Sequence, residues 1–498
     1  MGLTLKPTLD RRFLIGFILI VLAVRLIFAG LIHLTEDEAY YRLWSLYPQA
    51  GYYDHPPMIA WWGWIGRHLV GDNALGMRLL PVLANAATTW LVFDSARLAG
   101  ASERTAVRAA IWYNATLLVA FGAMLAIPDL PAGFFWTLAV WAALKAFHSR
   151  PIAWWCAAGT AAGLATLSKY SALFLAPGIL LWLVLTPETR RRLLTPGPWL
   201  AIPIAALLFG INIWWNAHHG WVSFEKQFGR AAPAHLAPRH MLEFLGAEIA
   251  LINPLILPFV ARATPGLRRQ GPHGDVRPFL ALAAPFLLYL LVHSLHDKVQ
   301  AHWPAPVFPG LAIAAAIAAE GATGWWARLR TLAPVLGLGL GAAALIGMAS
   351  PEFLKGKDFA HNVHGWDAFA TKLETMRGQT GAGWVGTLSY GEAAQIAGQR
   401  ELKAPVLQLD ERDRYVFLPS AQADISGPGL VVELSRRIDA SMLQACFADV
   451  RPLGQVRRTD EKHGLYSAFL VSHPKKIVDG GCWDTGQAPP PPASPARR

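Results

Sequence analysis

The chain has 498 residues, of which 54% are hydrophobic and only 15% charged, and Lys plus Arg exceed Asp plus Glu by 11. Soluble domains average about 25% charged residues. This composition therefore excludes an ordinary cytosolic enzyme, a disordered chain and a small disulfide-stapled secreted module. Apolar blocks dominate residues 1–350, while 351–498 read as a mixed, water-soluble sequence. The basic excess sits largely in short joints between apolar blocks, as in membrane proteins. Membrane lipids, and not nucleic acid, are the expected surroundings.

Eleven apolar stretches follow in order: roughly 13–32, 77–93, 109–127, 130–146, 152–168, 171–186, 198–215, 245–260, 278–293, 304–320 and 331–349. Residues 13–32 are long for the apolar core of a signal peptide and read as a span. Lys6, Arg11 and Arg12 precede that span, which places the N-terminus in the cytoplasm. Alternate joints then carry plain arginines, such as Arg104 with Arg108 and Arg190 to Arg192. The other joints carry acids, histidines and aromatics. An odd number of spans puts the C-terminal part outside. The pattern predicts an α-helical polytopic membrane protein of about eleven transmembrane helices with a small C-terminal periplasmic α/β domain. Residues 1–350 form the membrane domain, 351–486 the periplasmic domain, and 487–498 a Pro- and Ala-rich disordered tail.

The first outer joint, 33–80, is too long for a connector. Glu38–Tyr47 and Trp61–Val70 have helical spacing and an aromatic face, as interfacial helices do. Between them, Tyr53, Asp54 and His55 precede Pro56-Pro57, whose fixed φ holds the backbone extended. Glu36, Asp37 and Glu38 directly follow the first span. Crowded acids near a bilayer tend toward raised pKa values that suit a general base, although acids also cap helix N-termini. Asp129 lies between Pro128 and Leu130-Pro131, as a functional carboxylate or as a cap. Lys169 ends the fifth span and either snorkels or holds an anion. Later outer joints hold His218, His219, Trp221, Glu225, Lys226 and Arg230, then His293, His296, Asp297, Lys298 and His302. No pair has zinc-site spacing, so a divalent metal is an option without a motif. Cys446 and Cys482 fall on the oxidising side, either paired or as separate thiols. The tail shows no catalytic constellation.

One extracytoplasmic site assembled from several joints explains why ionisable groups gather on one side. Carboxylates beside cations and apolar helices suit an amphiphile with a phosphate head. No phosphate-cradling glycine loop is present for nucleotide chemistry. A transporter or flippase of a lipid-linked sugar would use similar cations. It would usually show matched halves with helices broken at mid-membrane, which the sequence lacks. A scaffold presenting the tail would leave the Asp37 and Asp129 joints unexplained.

In these residues the chain resembles the GT-C superfamily of membrane glycosyltransferases, in the bacterial branch related to protein O-mannosyltransferases and the lipid A aminoarabinose transferase. Asp37-Glu38-Ala39-Tyr40-Tyr41 resembles the acidic pair of the first outer loop, and Tyr52 to Pro57 its second motif. Pro128-Asp129, Leu167 to Tyr170, Asn216 to Trp221 and Trp303 to Pro306 follow in order. The resemblance implies the GT-C architecture. It implies inverting transfer of a sugar from a polyprenyl monophosphate to an envelope glycolipid, glycan or protein at the periplasmic face. Asp37 is then the general base, with Glu38 beside it in the acceptor groove. His55, Lys169, Arg230 and Lys298 become donor-phosphate ligands, and Tyr53, Asp129 and Trp221 substrate contacts. In the aminoarabinose transferase the position matching Asp54 is acidic and near a bound metal, while that matching His55 is a lysine. A metal here would fall to Asp54, with Glu225 as the second ligand, although the family does not always require one.

Overall fold

The computed structural model describes residues 9–149, 151–229, 236–268, 270–350, 363–415, 417–418, 425–459 and 464–475. Each of the eleven apolar blocks is helical over most of its length. Among the described residues, four helices are long and apolar enough to cross a bilayer: Arg11–Leu31, Ala74–Leu98, Pro196–His218 and Gly324–Ala349. A fifth crossing results if Tyr170–Leu185 and Pro187–Leu194, bent by 111°, count as one span. The remaining blocks are shorter helices, cut by their own sequence. Pro128 and Pro151 bracket Asp129–Lys145, and Thr116 leaves helical φ/ψ between Glu103–Ala115 and Leu117–Gly122.

Arg11–Leu31 starts at Asp10, whose side chain accepts from the Phe13 N–H, and it leaves Leu19, Ile20 and Ile27 about 60% exposed. A membrane fits that surface. Arg25 is the exception on this helix. It turns inward and donates to Asn114 Oδ1 at 2.9 Å, to the Val119 carbonyl at 2.9 Å and to Asn85. A charge at this depth is sustained only by such internal acceptors, and this one ties its helix to three others.

The first outer joint folds as expected into two helices, Glu36–Leu46 and Met58–Val70. Thr35 and Glu38 form a capping box at the start of the first. Gly71, at φ 98°, ends the second. Trp44 and Tyr52 stack at 4.2 Å and, with Tyr40 and Phe417, interlock the joint with the C-terminal domain.

That domain carries Trp366–Thr380 and a five-stranded sheet: β1 (Trp384–Thr387), β2 (Val406–Gln408), β3 (Gly429–Leu434), β4 (Phe447–Arg457) and β5 (Leu465–Pro474), in the order β2-β1-β3-β5-β4. The first three strands run parallel, and β5 joins β3 and β4 antiparallel. Tyr390–Ala397 follows β1 and packs on Glu36–Leu46. Gly391 permits the close approach, because a Cβ there would lie 2.7 Å from Glu36 Cβ. Tyr390–Ala397, β2 and β4 were not expected from the sequence. The edge strand β4 is largely exposed and bulged at Pro452/Gly454, so it lacks apolar alternation. Cys446 is disulfide-bonded. Cys482 and the tail 487–498 lie outside the described residues.

Candidate active site

A cavity of about 590 Å³ opens where the expected outer joints meet the C-terminal domain. Asp37, Asp54, His55 and Lys169, from three separate stretches of sequence, all line it. His302 and Trp303 close one side, and Tyr390 and Arg414 reach in from the C-terminal domain. Leu173, Phe174, Phe286 and Leu290 form an apolar wall. A second cavity of about 550 Å³, almost wholly apolar, runs between Pro151–Thr166, Leu175–Leu185 and Pro196–His218, and it shares Leu173 with the first.

Local structure aims each group. Asp37 stands in the first turn of Glu36–Leu46, and its Oδ1 accepts from the Tyr390 hydroxyl at 2.7 Å. It enters no ion pair among the described residues. Burial first, then the nearby Asp37 charge, raises the Tyr390 phenol, so it remains a donor. Lys169 follows Pro151–Thr166 and does not snorkel outward. Its Nζ donates to Asp129 Oδ1 at 2.6 Å, with both side chains 10% exposed or less. His302 Nε2 approaches the other Asp129 oxygen at 3.7 Å. Asp129 thus touches Lys169 without lining the cavity. Burial and then the Lys169 charge push the His55 imidazole down to about 3. His55 is therefore neutral near pH 7 and carries a donor N–H without a positive charge. Its Nδ1 has no partner among the described residues. His302 is likewise lowered, by burial and Lys169 against the opposing pull of Asp129.

Several expected site residues stand elsewhere. Glu38 is fully buried, forms an ion pair with Arg78 at 2.5 Å and accepts from the Ala126 N–H at 2.8 Å. Burial alone would raise this carboxyl, but Arg78 and these bonds hold it below the usual range, the reverse of the expected shift. It does not line the cavity; it knits the outer joint to the bundle. Lys298, Glu225 and Trp221 are exposed and lie outside the cavity lining, with Trp221 stacked on Phe224 at a φ of 58°. Tyr53 is outside the cavity lining, with Lys226 and Arg414 over its ring at 5.0 and 5.4 Å. Arg230 lies outside the described residues.

The residues present do not form the expected metal centre. Asp54 Oδ2 already takes the Arg414 guanidinium at 2.5 Å and the Tyr40 hydroxyl at 3.0 Å. No cluster of three His, Cys, Asp or Glu residues suited to a metal occurs among the described residues. Tyr390 and Arg414 are the site residues that sequence reasoning missed. The stretch Asp410-Glu411-Arg412-Asp413-Arg414-Tyr415 reads as a solvated charged loop, with nothing to show that its second arginine turns inward.

Residues 54–215 match the family of dolichyl-phosphate-mannose-protein mannosyltransferases. The crystal structure of ArnT from Cupriavidus metallidurans bound to undecaprenyl phosphate superposes with a TM-score of 0.65 at 14% identity, covering 92% of this chain and 97% of that one. The chain shares the fold of that structure. Arabinofuranosyltransferase AftD from Mycobacteria shares it more distantly, at a TM-score of 0.51 and 12% identity, over 92% of this chain and 40% of the other. In sequence, the lipid A galacturonosyltransferase RgtD of Rhizobium johnstonii is 28% identical over 280 residues, 55% of this chain and 58% of that protein. The match thus spans less than two-thirds of that relative.

Proposed function

We propose that this protein is a membrane glycosyltransferase of the bacterial inner membrane. It takes a sugar from a polyprenyl monophosphate and gives it to an envelope acceptor at the periplasmic face, with a lipid-A-type glycolipid favoured over another glycan or protein. The shorter helices complete the eleven crossings in this reading. The N-terminus is then cytoplasmic, and the site and C-terminal domain face the periplasm. One observation carries the proposal: Asp37, a carboxylate outside any ion pair among the described residues, shares a cavity with Lys169 and an apolar wall that continues into a second apolar cavity. An amphiphilic donor fits that combination of a polar head site and a lipid-lined extension. The RgtD and ArnT likenesses support the same donor and acceptor classes.

The chemistry is a single displacement. Asp37 accepts the proton of the acceptor hydroxyl as that oxygen bonds to the anomeric carbon. The bond from this carbon to the phosphate oxygen breaks, and the polyprenyl phosphate leaves with the electron pair. Attack from the face opposite the phosphate inverts the anomeric centre. The Lys169 ammonium compensates charge on the leaving phosphate. Neutral His55 can donate to it.

Mass spectrometry of envelope lipids from a deletion strain tests this reading. The expected result is loss of one hexose, pentose or uronic acid from one lipid, restored by the wild-type gene and not by Asp37→Ala. An unchanged lipid and glycan profile overturns it. Restoration by Asp37→Ala favours a transport role.

A further inference from the structure

The place that Asp54 would offer a metal is filled from the C-terminal domain. Arg414 lies on the short 3₁₀ turn Arg412–Tyr415. Its Nη1 donates to Asp54 Oδ2 at 2.5 Å, and its Nε donates to Glu411, whose other oxygen takes Lys226 Nζ at 2.9 Å. The guanidinium carbon also lies 4.5 Å from the Tyr390 ring centroid and 5.4 Å from that of Tyr53. Two carboxylates and two aromatic rings around one planar cation form a site that guanidinium suits and a compact ammonium does not.

The arrangement solves an electrostatic problem. Asp37 and Asp54 line the same cavity, and two bare carboxylates would repel a phosphate-bearing donor. A divalent ion would neutralise them but can dissociate. A guanidinium stays charged at every working pH and is fixed in the chain. It acts on the base as well. The cation over the Tyr390 ring draws electron density from the phenol and strengthens its hydroxyl as a donor, and that hydroxyl holds Asp37 Oδ1 at 2.7 Å.

We propose that Arg414 is the resident cation of this site. It stands where a divalent metal would otherwise neutralise Asp54, and through Tyr390 it orients Asp37 for proton transfer. It is a positioning residue, and the proposal rests on the glycosyltransferase reading above. The reaction runs without a dissociable metal, and the C-terminal domain is part of the catalytic unit rather than a cap.

The test uses full-length protein in lipid nanodiscs, the polyprenyl-phosphate sugar identified by the deletion-strain analysis, and envelope lipids of that strain as acceptor. Wild-type transfer is expected to be unchanged by EDTA and by added Mg²⁺, Mn²⁺ or Zn²⁺. Arg414→Ala should lower kcat about 100-fold while the donor KM moves less than about threefold. Free guanidinium ion, well below denaturing concentration, should restore part of that loss, and Arg414→Lys should fall between the two. Tyr390→Phe, which keeps the ring and the stacking, should lower kcat by a smaller factor. Three results overturn the assignment: EDTA abolishes wild-type transfer and a divalent ion restores it; Arg414→Ala works at the wild-type rate; or Arg414→Ala and Arg414→Lys are equally inactive and guanidinium does nothing. A wild type that transfers no sugar sinks the underlying reading instead.

Discussion

Asp37 and Glu38 are adjacent carboxylates with opposite surroundings. Asp37 faces the cavity and takes one hydrogen bond from Tyr390, whereas Glu38 is sealed against Arg78 with no exposed surface. One helical step of about 100° separates their side chains, enough to put one in the pocket and the other in the core. Their variants should therefore fail differently. Asp37→Asn should preserve folding and lower kcat by about 10²- to 10⁴-fold, the range of lost general-base catalysis. Glu38→Gln leaves the Arg78 charge buried and unpaired, a loss of about 3–5 kcal/mol. It should lower yield and Tm, while the surviving folded fraction keeps near-normal kcat. Thermal melts and single-turnover rates of the two proteins check both outcomes. The sequence made the acidic trio conspicuous, and Thr35 three residues before Glu38 marked a cap. It could not distribute roles within the trio, because Arg78 lies 40 residues further along the chain.

At the scale of elements, the decisive contact is Tyr390–Ala397 against Glu36–Leu46. On the first turn of Tyr390–Ala397, Glu392 is buried beside Glu433 of β3, with Glu36 and Tyr466 nearby and Arg437 3.6 Å away. Burial and then the Glu433 charge hold the Glu392 carboxyl well above the usual range, so folding takes up a proton there. A folded-state pKa above the unfolded value means that this contribution is fully present below about pH 4.5 and is lost as pH rises. Glu392→Gln keeps the neutral shape without the proton. It should raise Tm clearly more at pH 8 than at pH 5, and equal shifts at both would refute the assignment. This element was hidden from the sequence for a physical reason. Eight residues containing Gly391 and three alanines give little periodic signal, and the contact that stabilises them lies more than 350 positions away. The long apolar helices and the paired interfacial helices were legible, because bilayer length and aromatic spacing are local properties.

For the molecule as a whole, the separation of charge types between joints predicts sidedness. Arg104 and Arg436 are both exposed, on opposite expected faces. A membrane-impermeant maleimide should label Arg436→Cys in intact spheroplasts and Arg104→Cys only after permeabilisation, each in a Cys156→Ala background. The reverse pattern would invert the topology. The convergence of Asp37, Asp54, His55 and Lys169 followed from a simple premise, that polar groups excluded from lipid must collect at one end of the bundle. The contribution of the C-terminal domain did not follow, since Tyr390 and Arg414 sit in stretches that resemble any hydrated surface.

Arg414 is 360 residues downstream of Asp54. The early spans with their acids are therefore inserted in the bilayer long before the ribosome has made the arginine that joins them. A nascent chain carries Asp37 and Asp54 before the cation that pairs with Asp54 exists. Under the proposed role of Arg414, truncation before residue 414 leaves the cavity acidic and should abolish transfer even where the membrane helices fold.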